Sequence, residues 1–317
     1  MSQPATCRVL IVGDIGDPHV LAVLQHLRGP GIVVVDADSI RRTLDWWDAD
    51  GWVLRDTTGS PSRISEHSTT RGWIRRYGPP DWDHGVRIGS HAAAVLAARL
   101  TLLGALMRDS RVDWLTTSEH LAAAENKIVQ QDAAHSLGIR TPATVIGASL
   151  SRVASTVGDP FVAKPLAVAS FETDGQTRVA YAEAVAAANL AGVDILEAPF
   201  LFQELIKAET HLRVVTVADR ALVCAQSAVG LPVDWRRADL AHESFAASYE
   251  HDDIAQRAVA LAHAMDVGYS SQDWVVQDGE AYFLDLNPAG QWAFLPDEIS
   301  NTVSRSIAVC LDEELDN

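Results

Sequence analysis

The run Ala281-Tyr282-Phe283-Leu284-Asp285-Leu286-Asn287-Pro288-Ala289-Gly290-Gln291-Trp292, preceded by Ser271-Gln272-Asp273-Trp274-Val275-Val276, constrains this chain more than any other segment. Apolar residues alternating on both sides of Asp278-Gly279 predict a hairpin. Asp285 and Asn287 are two apart, so an extended backbone sends both side chains to one face. Asp273 joins them only in the right register, because a slip of one residue moves it to the opposite face. A three-residue loop, Gln277-Asp278-Gly279 with Gly279 left-handed, is expected. It groups Asp273, Val275, Phe283, Asp285 and Asn287 on one face, and Trp274, Val276, Tyr282, Leu284 and Leu286 on the other. A two-residue Asp-Gly turn would mix carboxylates with core residues. Two carboxylates and an amide oxygen are hard ligands, suited to Mg²⁺ shared with substrate phosphates. The same residues also fit an ordinary edge hairpin with solvated acids.

At 317 residues the chain is long enough for two or three lobes, and an apolar fraction of 48% is ample for their cores. The net charge of −17 argues against a nucleic-acid-binding surface, which needs clustered Lys and Arg. Cys7, Cys224 and Cys310 lie far apart within apolar segments, which predicts reduced thiols and a cytoplasmic location rather than disulfides or a zinc cluster. The opening residues hold no apolar run of signal-sequence length, and Arg99 interrupts the Ala-rich stretch from Ser90 to Met107. No membrane segment is expected.

Cys7 to Gly13, a helical stretch through Leu27 and the run Ile32 to Val35 predict a βαβ unit. Gly13, Gly16 and Asp36 lack the G-x-G-x-x-G spacing of a dinucleotide site. Residues from about Asp56 to Ile88 show no sustained periodicity and are expected as an ordered loop region. Helices are expected at Ser90 to Asp109, from Glu119 to Leu137 with a stop at Gly138, and near Glu183 to Leu190, Asp252 to Asp266 and Asp297 to Leu311. Short strands are expected at Phe161 to Lys164, Leu201 to Ile206, His211 to Val217 and Ala221 to Ser227. An α/β lobe followed by two α+β lobes is the predicted architecture.

A helix lysine (Lys127), a strand lysine (Lys164), the strand Phe202-Gln203-Glu204-Leu205-Ile206, a strand bearing Arg213 and the acidic hairpin follow one another in that order. This order supplies cations for polyphosphate oxygens, a backbone hinge for an adenine edge, and a metal to bridge the phosphates. With these pieces, the chain resembles the ATP-grasp ligases, and within them the peptide maturases that make microviridin-like graspetides. The resemblance rests on Ala124-Glu125-Asn126-Lys127, Leu137-Gly138-Ile139-Arg140-Thr141-Pro142, Gln203-Glu204-Leu205-Ile206 with Leu212-Arg213-Val214, and Asp234-Trp235-Arg236. It also rests on the closing Asp285-Leu286-Asn287-Pro288-Ala289-Gly290-Gln291-Trp292, and it covers nearly the whole chain.

The resemblance implies an ATP-grasp fold, α/β and α+β, with an N-terminal α/β lobe over 1–115, a central lobe over 116–198 and a C-terminal lobe with the metal hairpin over 199–317. It implies that Lys127 and Lys164 contact ATP phosphates and that Gln203, Glu204, Leu205 and Ile206 line the adenine pocket. Asp273, Asp285 and Asn287 would hold Mg²⁺, and Arg213 would meet the γ-phosphate or an acyl phosphate; Arg213 and Lys164 are the implied catalytic residues. His211 stands where relatives usually carry an acid before Leu-Arg-Val, with Glu209 two residues earlier as the remaining nucleotide-binding acid. Asp285 replaces the usual glutamate, one methylene shorter. The loop from Ala167 to Arg178 has only Gly175 as a hinge. Arg71, Arg75, Arg76, Arg236 and Arg237 suit bidentate recognition of acidic side chains, or else surface solubility. Trp46, Trp47, Trp52, Trp82 and Trp235 suit a peptide-contact surface, or else core.

The implied activity is activation of acidic side chains in a ribosomal precursor peptide, with an acidic core and a leader, as acyl phosphates for ω-ester or ω-amide macrocyclisation. The implied partners are ATP, Mg²⁺, that peptide and a second copy in a homodimer. Two alternatives stay open: a ligase joining a free amino acid or small amine to a peptide or metabolite, and a nucleotide-binding module without catalysis. A neighbouring reading frame for an acidic, Thr- or Lys-rich peptide would separate the first two.

Overall fold

The computed structural model describes residues 4–79, 85–147, 149–166, 181–192 and 199–312, and the backbone of 170–173 and 176–179. After a short β1 (Ala5–Thr6), the expected βαβ unit is present as β2 (Val9–Val12), α1 (Pro18–Leu24) and β3 (Ile32–Val35), with β2 and β3 parallel. α2 (Ile40–Thr43), β4 (Leu44–Asp48) and β5 (Gly51–Arg55) follow. The region expected as loop instead supplies β6 (Pro61–Ile64) and β7 (Thr70–Ile74). β7 is an inner strand, parallel to β2 and to β8 (Val112–Trp114), in a sheet of order β3-β2-β7-β8. Gly72 disguised it. A Cβ there would lie 2.3 Å from the Trp114 ring, so the glycine marks a close aromatic neighbour rather than a turn. β1, β6, β5 and β4 form a second sheet, and α3 (His91–Leu106) is capped by Ser90, whose hydroxyl accepts from the Ala93 amide.

The helix expected to run unbroken from 119 to 137 is two helices, α4 (Ser118–Ala124) and α5 (Lys127–Ser136). Asn126 leaves helical geometry between them, and its Oδ1 accepts from the amides of Ile128 and Val129. Lys127 therefore opens a helix instead of lying inside one. Gly138, at φ +67°, ends α5 as expected. β9 (Thr144–Val145), α6 (Leu150–Val157), β10 (Phe161–Pro165), the hairpin β11 (Ser170–Thr173) and β12 (Gln176–Val179), β13 (Glu183–Val185) and β14 (Phe200–Glu204) build the next section. Its antiparallel sheet has the order β13-β10-β14-β9 and closes over Val153, Val157, Phe161 and Phe202. The helix expected at 183–190 is a strand followed by a 3₁₀ turn over Ala187–Leu190, because β10 offers an open edge to residues 183–185. Its alanines give helix propensity, and edge pairing overrides it.

The last section is an antiparallel sheet of order β17-β16-β15-β18-β19. Its strands are β15 (Thr210–Val217), β16 (Arg220–Ser227), β17 (Ala246–Ala247), β18 (Tyr269–Gln277) and β19 (Glu280–Asn287). On one face Leu212, Val214, Trp274, Phe283 and Leu286 pack with Ala134 of α5 and with Ile254 and Leu261 of α7 (Asp252–Ala264). On the other, Val215, Val217, Tyr269 and Trp292 share a core with α8 (Asp297–Leu311) and with Val9, Ile11, Val20 and Trp73 of the N-terminal section.

The β18–β19 register corrects the expected hairpin. Gln277 pairs with Glu280, so the loop is the two-residue Asp278-Gly279 turn, with φ of +52° and +76°. Followed unchanged, that register would separate the two acids. A β-bulge at Asp273/Trp274 absorbs one residue of β19, and beyond it Asp273 stands opposite Asp285 and Ser271 opposite Asn287. Phe283 consequently turns into the core opposite Trp274, whereas Leu284 faces the cavity with Asp285.

Candidate active site

Two carboxylates directly opposite each other on antiparallel strands repel, so the fold must offset them. It does so with cations from two other elements. Lys127, at the start of α5, places Nζ 2.9 Å from Asp285 Oδ1. Arg213, opposite Asp273 on β15, donates Nη1 to Asp273 Oδ1 at 2.8 Å and Nη2 to the Gln291 carbonyl at 3.1 Å, with its guanidinium over the Phe294 ring. Burial works to raise the Asp273 pKa, but Arg213, then Arg236 and Lys164, hold it below the ordinary carboxylate value. Oδ2 of each aspartate takes no hydrogen bond or ion pair among the described residues. Asn287 is fixed by its own turn, with Oδ1 accepting from the Ala289 amide at 2.9 Å.

Lys127, Asp273, Asp285 and Asn287 line a cavity of about 950 Å³ between the central and C-terminal sheets. Lys164 enters it from β10. Its pKa is pushed down to about 8, chiefly by burial of the ammonium and also by Lys127, while Asp285, Asp273 and Asp234 act to raise it. Gln203 on β14 is buried; its Nε2 donates to Thr144 Oγ1 at 3.0 Å, and its Oε1 has no partner among the described residues. Past Glu204 the chain leaves the ladder, and Leu205 and Ile206 continue along the cavity wall. The Lys207 amide is anchored on Gln277 Oε1 at 2.8 Å, which ties this segment to the β18–β19 hairpin.

Of the residues singled out in the sequence, the structure brings Lys127, Lys164, Gln203, Glu204, Leu205, Ile206, Asp273, Asp285 and Asn287 to one cavity. Glu209 is exposed and is not among the lining residues, and Arg213 sits behind Asp273 rather than on the wall. His211 lines the cavity in place of Glu209, with its pKa lowered mainly by burial. Asp234 and Arg236 also line it, joined by paired bonds of 2.7 and 2.6 Å that hold the guanidinium pKa above its ordinary value. The Asp-x-Arg spacing was visible in the sequence; the pairing was not. Arg75 is fully buried among Asp17, His19 and Trp292, so it is no receptor for peptide acids. Trp52 is core, Trp46 and Trp47 are exposed, and Trp82 and residues 167–169 lie outside the described residues.

Among the described residues no group of three or more His, Cys, Asp or Glu is gathered to hold a metal by itself. Two aspartates and an amide form an incomplete oxygen set, the kind that suits Mg²⁺ retaining water and phosphate ligands. No helix among the described residues is long and apolar enough to cross a membrane. Cys7 and Cys224 are buried free thiols.

No protein-family profile and no curated protein matches the chain. Solved structures do match. The macrocyclase MdnC bound with precursor peptide MdnA from Microcystis aeruginosa MRC aligns with a TM-score of 0.80 at 20% identity, over 96% of this chain and 99% of that one. A Chryseobacterium gregarium RiPP-associated ATP-grasp ligase, in complex with ADP and a leader and core peptide, aligns at 0.78 and 21% identity, over 96% of each chain. The ATP-grasp ligase PsnB, complexed with minimal precursor, Mg and ADP, aligns at 0.71 and 18% identity, over 98% of this chain and 100% of that one. The chain has the ATP-grasp fold.

Proposed function

We propose that this chain is an ATP-dependent carboxylate ligase that activates acidic side chains of a ribosomal precursor peptide and closes them onto Ser, Thr or Lys as ω-esters or ω-amides. The observation that carries the reading is the face-to-face pair Asp273 and Asp285, surrounded by Lys127, Lys164, Arg213 and Arg236 in a chain of net charge −17. An ordinary edge hairpin has no use for such a pair. The likeness to ATP-grasp ligases solved with ADP and peptides supports the same reading.

In this proposal Asp273, Asp285 and Asn287 hold Mg²⁺, which supplies charge neutralisation between the terminal phosphates. Gln203 Oε1 and the backbone of 204–206 face the adenine edge, and the unpartnered oxygen accepts from its exocyclic amine. Lys127 and Lys164 bind phosphate oxygens, and Arg213, released in part from Asp273, stabilises charge on the group in transfer. A peptide carboxylate attacks the γ-phosphorus and ADP leaves. A hydroxyl or amine then attacks the acyl phosphate, phosphate leaves, and the peptide has lost one water for each bond formed. Catalysis is electrostatic and needs no covalent enzyme nucleophile.

A leader segment that docks the peptide and a homodimer complete the proposal. Helix α3 buries only Leu103 and Leu106 of its apolar side chains and holds no Asp or Glu, which makes it the face assigned to the second copy; sedimentation of the purified protein tests this. The activity is tested with Mg-ATP and acidic peptides from adjacent reading frames, following ADP and peptide mass. ADP with loss of water from the peptide is expected. ADP without dehydration would favour a ligase for free amines, and nucleotide binding without ADP would favour a regulatory module.

A further inference from the structure

The loop after β19 is held by two residues of the N-terminal section. Arg75 donates Nη1 to the Ala289 carbonyl and, at 3.5 Å, to that of Gly290. His19, in α1, receives the amides of Trp292 and Ala293 on Nε2 at 3.2 and 3.3 Å. On its other side, Nδ1 lies 2.8 Å from Asp17 Oδ1. An imidazole nitrogen that accepts two N–H groups carries no proton, which places the ring proton on Nδ1 toward Asp17, with Arg75 Nη2 also 3.1 Å from Nδ1. Burial, and the charges of Arg75 and Arg76, favour this neutral form, against the pull of Asp17.

The amide N–H of Trp292 and the carbonyl of Gln291 belong to one planar trans peptide unit and point in opposite directions. His19 holds the first and Arg213 the second. We propose that His19 is a positioning residue for Arg213: through this single peptide plane, the N-terminal section sets the orientation of the guanidinium that pairs with Asp273. The line runs Asp17, His19, the 291–292 peptide, Arg213, Asp273, and every step is a hydrogen bond of 2.8 to 3.2 Å or a covalent plane. Such lines polarise along their length and align their last member. The role assigned to Arg213 rests on the proposed ligase reading; the geometry of the relay does not.

The test replaces the acceptor while keeping the packing. His19 stacks edge-on to Trp292 at 4.5 Å, so H19F retains a ring there, H19A removes it, and H19Q offers an amide oxygen to the same two N–H groups. In the nucleotide-free protein, ¹⁵N NMR of arginine guanidinium groups, with the Arg213 signal identified by its loss in R213K, reads the relay directly. Slow guanidinium rotation is expected in wild type and H19Q, and fast rotation in H19F and H19A. An unchanged Arg213 signal in folded H19F or H19A overturns the inference. Calorimetry with Mg-AMPPNP then reads its consequence, with an expected weakening of about 10-fold in H19F, the scale of losing an outer-shell partner. H19Q recovers most of that affinity, and H19F adds nothing to R213A. A loss that persists undiminished in R213A, or H19Q as weak as H19F, assigns His19 a purely structural role. Wild type that takes up no Mg-AMPPNP overturns the ligase reading alone, because the NMR result stands without ligand.

Discussion

Gln130 offers a sharp quantitative test of how the carboxylate strand is held. It is buried at 1% exposure, and its amide bonds three backbone groups: Nε2 donates to the carbonyls of Ala124 and Leu286, both at 2.7 Å, and Oε1 accepts from the Leu286 amide at 3.0 Å. Leu286 lies between Asp285 and Asn287 on the edge strand, and Ala124 ends the helix before Lys127. One side chain thus stands in for a missing neighbouring strand and ties the acids to their lysine. Gln130→Met keeps length and volume but strands three buried polar groups, each worth at least about 1 kcal/mol. The expected loss is about 3 kcal/mol, which for a chain of this size lowers Tm by roughly 6 °C. Gln130→Glu keeps the acceptor, sets a carboxylate against two carbonyls, and is expected to lose at least as much. Thermal unfolding followed by far-UV circular dichroism measures both. A Gln130→Met protein within about 0.5 kcal/mol of wild type, the usual range of inconsequential surface changes, would refute the reasoning.

Asp285→Ala and Asn287→Ala are expected to abolish Mg-ATP turnover with little change in the fold, because side chains on a cavity wall add little to a packed core; ADP release beside circular dichroism checks this, and collapse of both variants would make these residues structural. With its pKa near 8, Lys164 is partly neutral in the free protein above that pH. Phosphates beside it favour the charged form, so Mg-AMPPNP binding at about pH 8.5 should take up a proton, seen as a buffer-dependent calorimetric heat that Lys164→Met removes. The sign for folding follows too: a depressed lysine pKa makes its charged form a burden on the native state, so this residue's contribution to stability improves as pH rises from about 8 toward the unfolded value of roughly 10.4. Gly290→Ala would bring a Cβ within 2.4 Å of Ser271 Cβ, and displacement of the loop should cost about 1–3 kcal/mol in urea unfolding.

The sequence was legible wherever one residue type has one physical use. Apolar runs located β2, β3, β15 and β16, Gly138 located the end of α5, and the spacing of Asp285 and Asn287 put both on one face. It misled where a residue serves a distant neighbour. Gly72 imitates a turn but makes room for Trp114, and Asn126 imitates an interior helix residue but caps a new helix. The alanines after Glu183 suggest a helix until the free edge of β10 is known. The pairing of Asp273 with Asp285 was anticipated for the wrong reason: the apolar pattern favoured a three-residue loop, and no local signal announces the bulge at Asp273/Trp274. Glu209 and His211 differ by two positions along the chain, but β15 begins at Thr210, and only His211 lies on the strand that lines the cavity.

That bulge gives the acidic strand a single spare residue. Excising Leu284 would preserve the turn and every partner up to Phe283, and Asp285 would step into the vacated place opposite Asp273. Asp285 and Asn287 would still face the cavity and Leu286 the core, so a one-codon deletion at this position would straighten the strand without turning its chemistry inside out. One residue of length can therefore be lost at the bulge without moving the acids off their face.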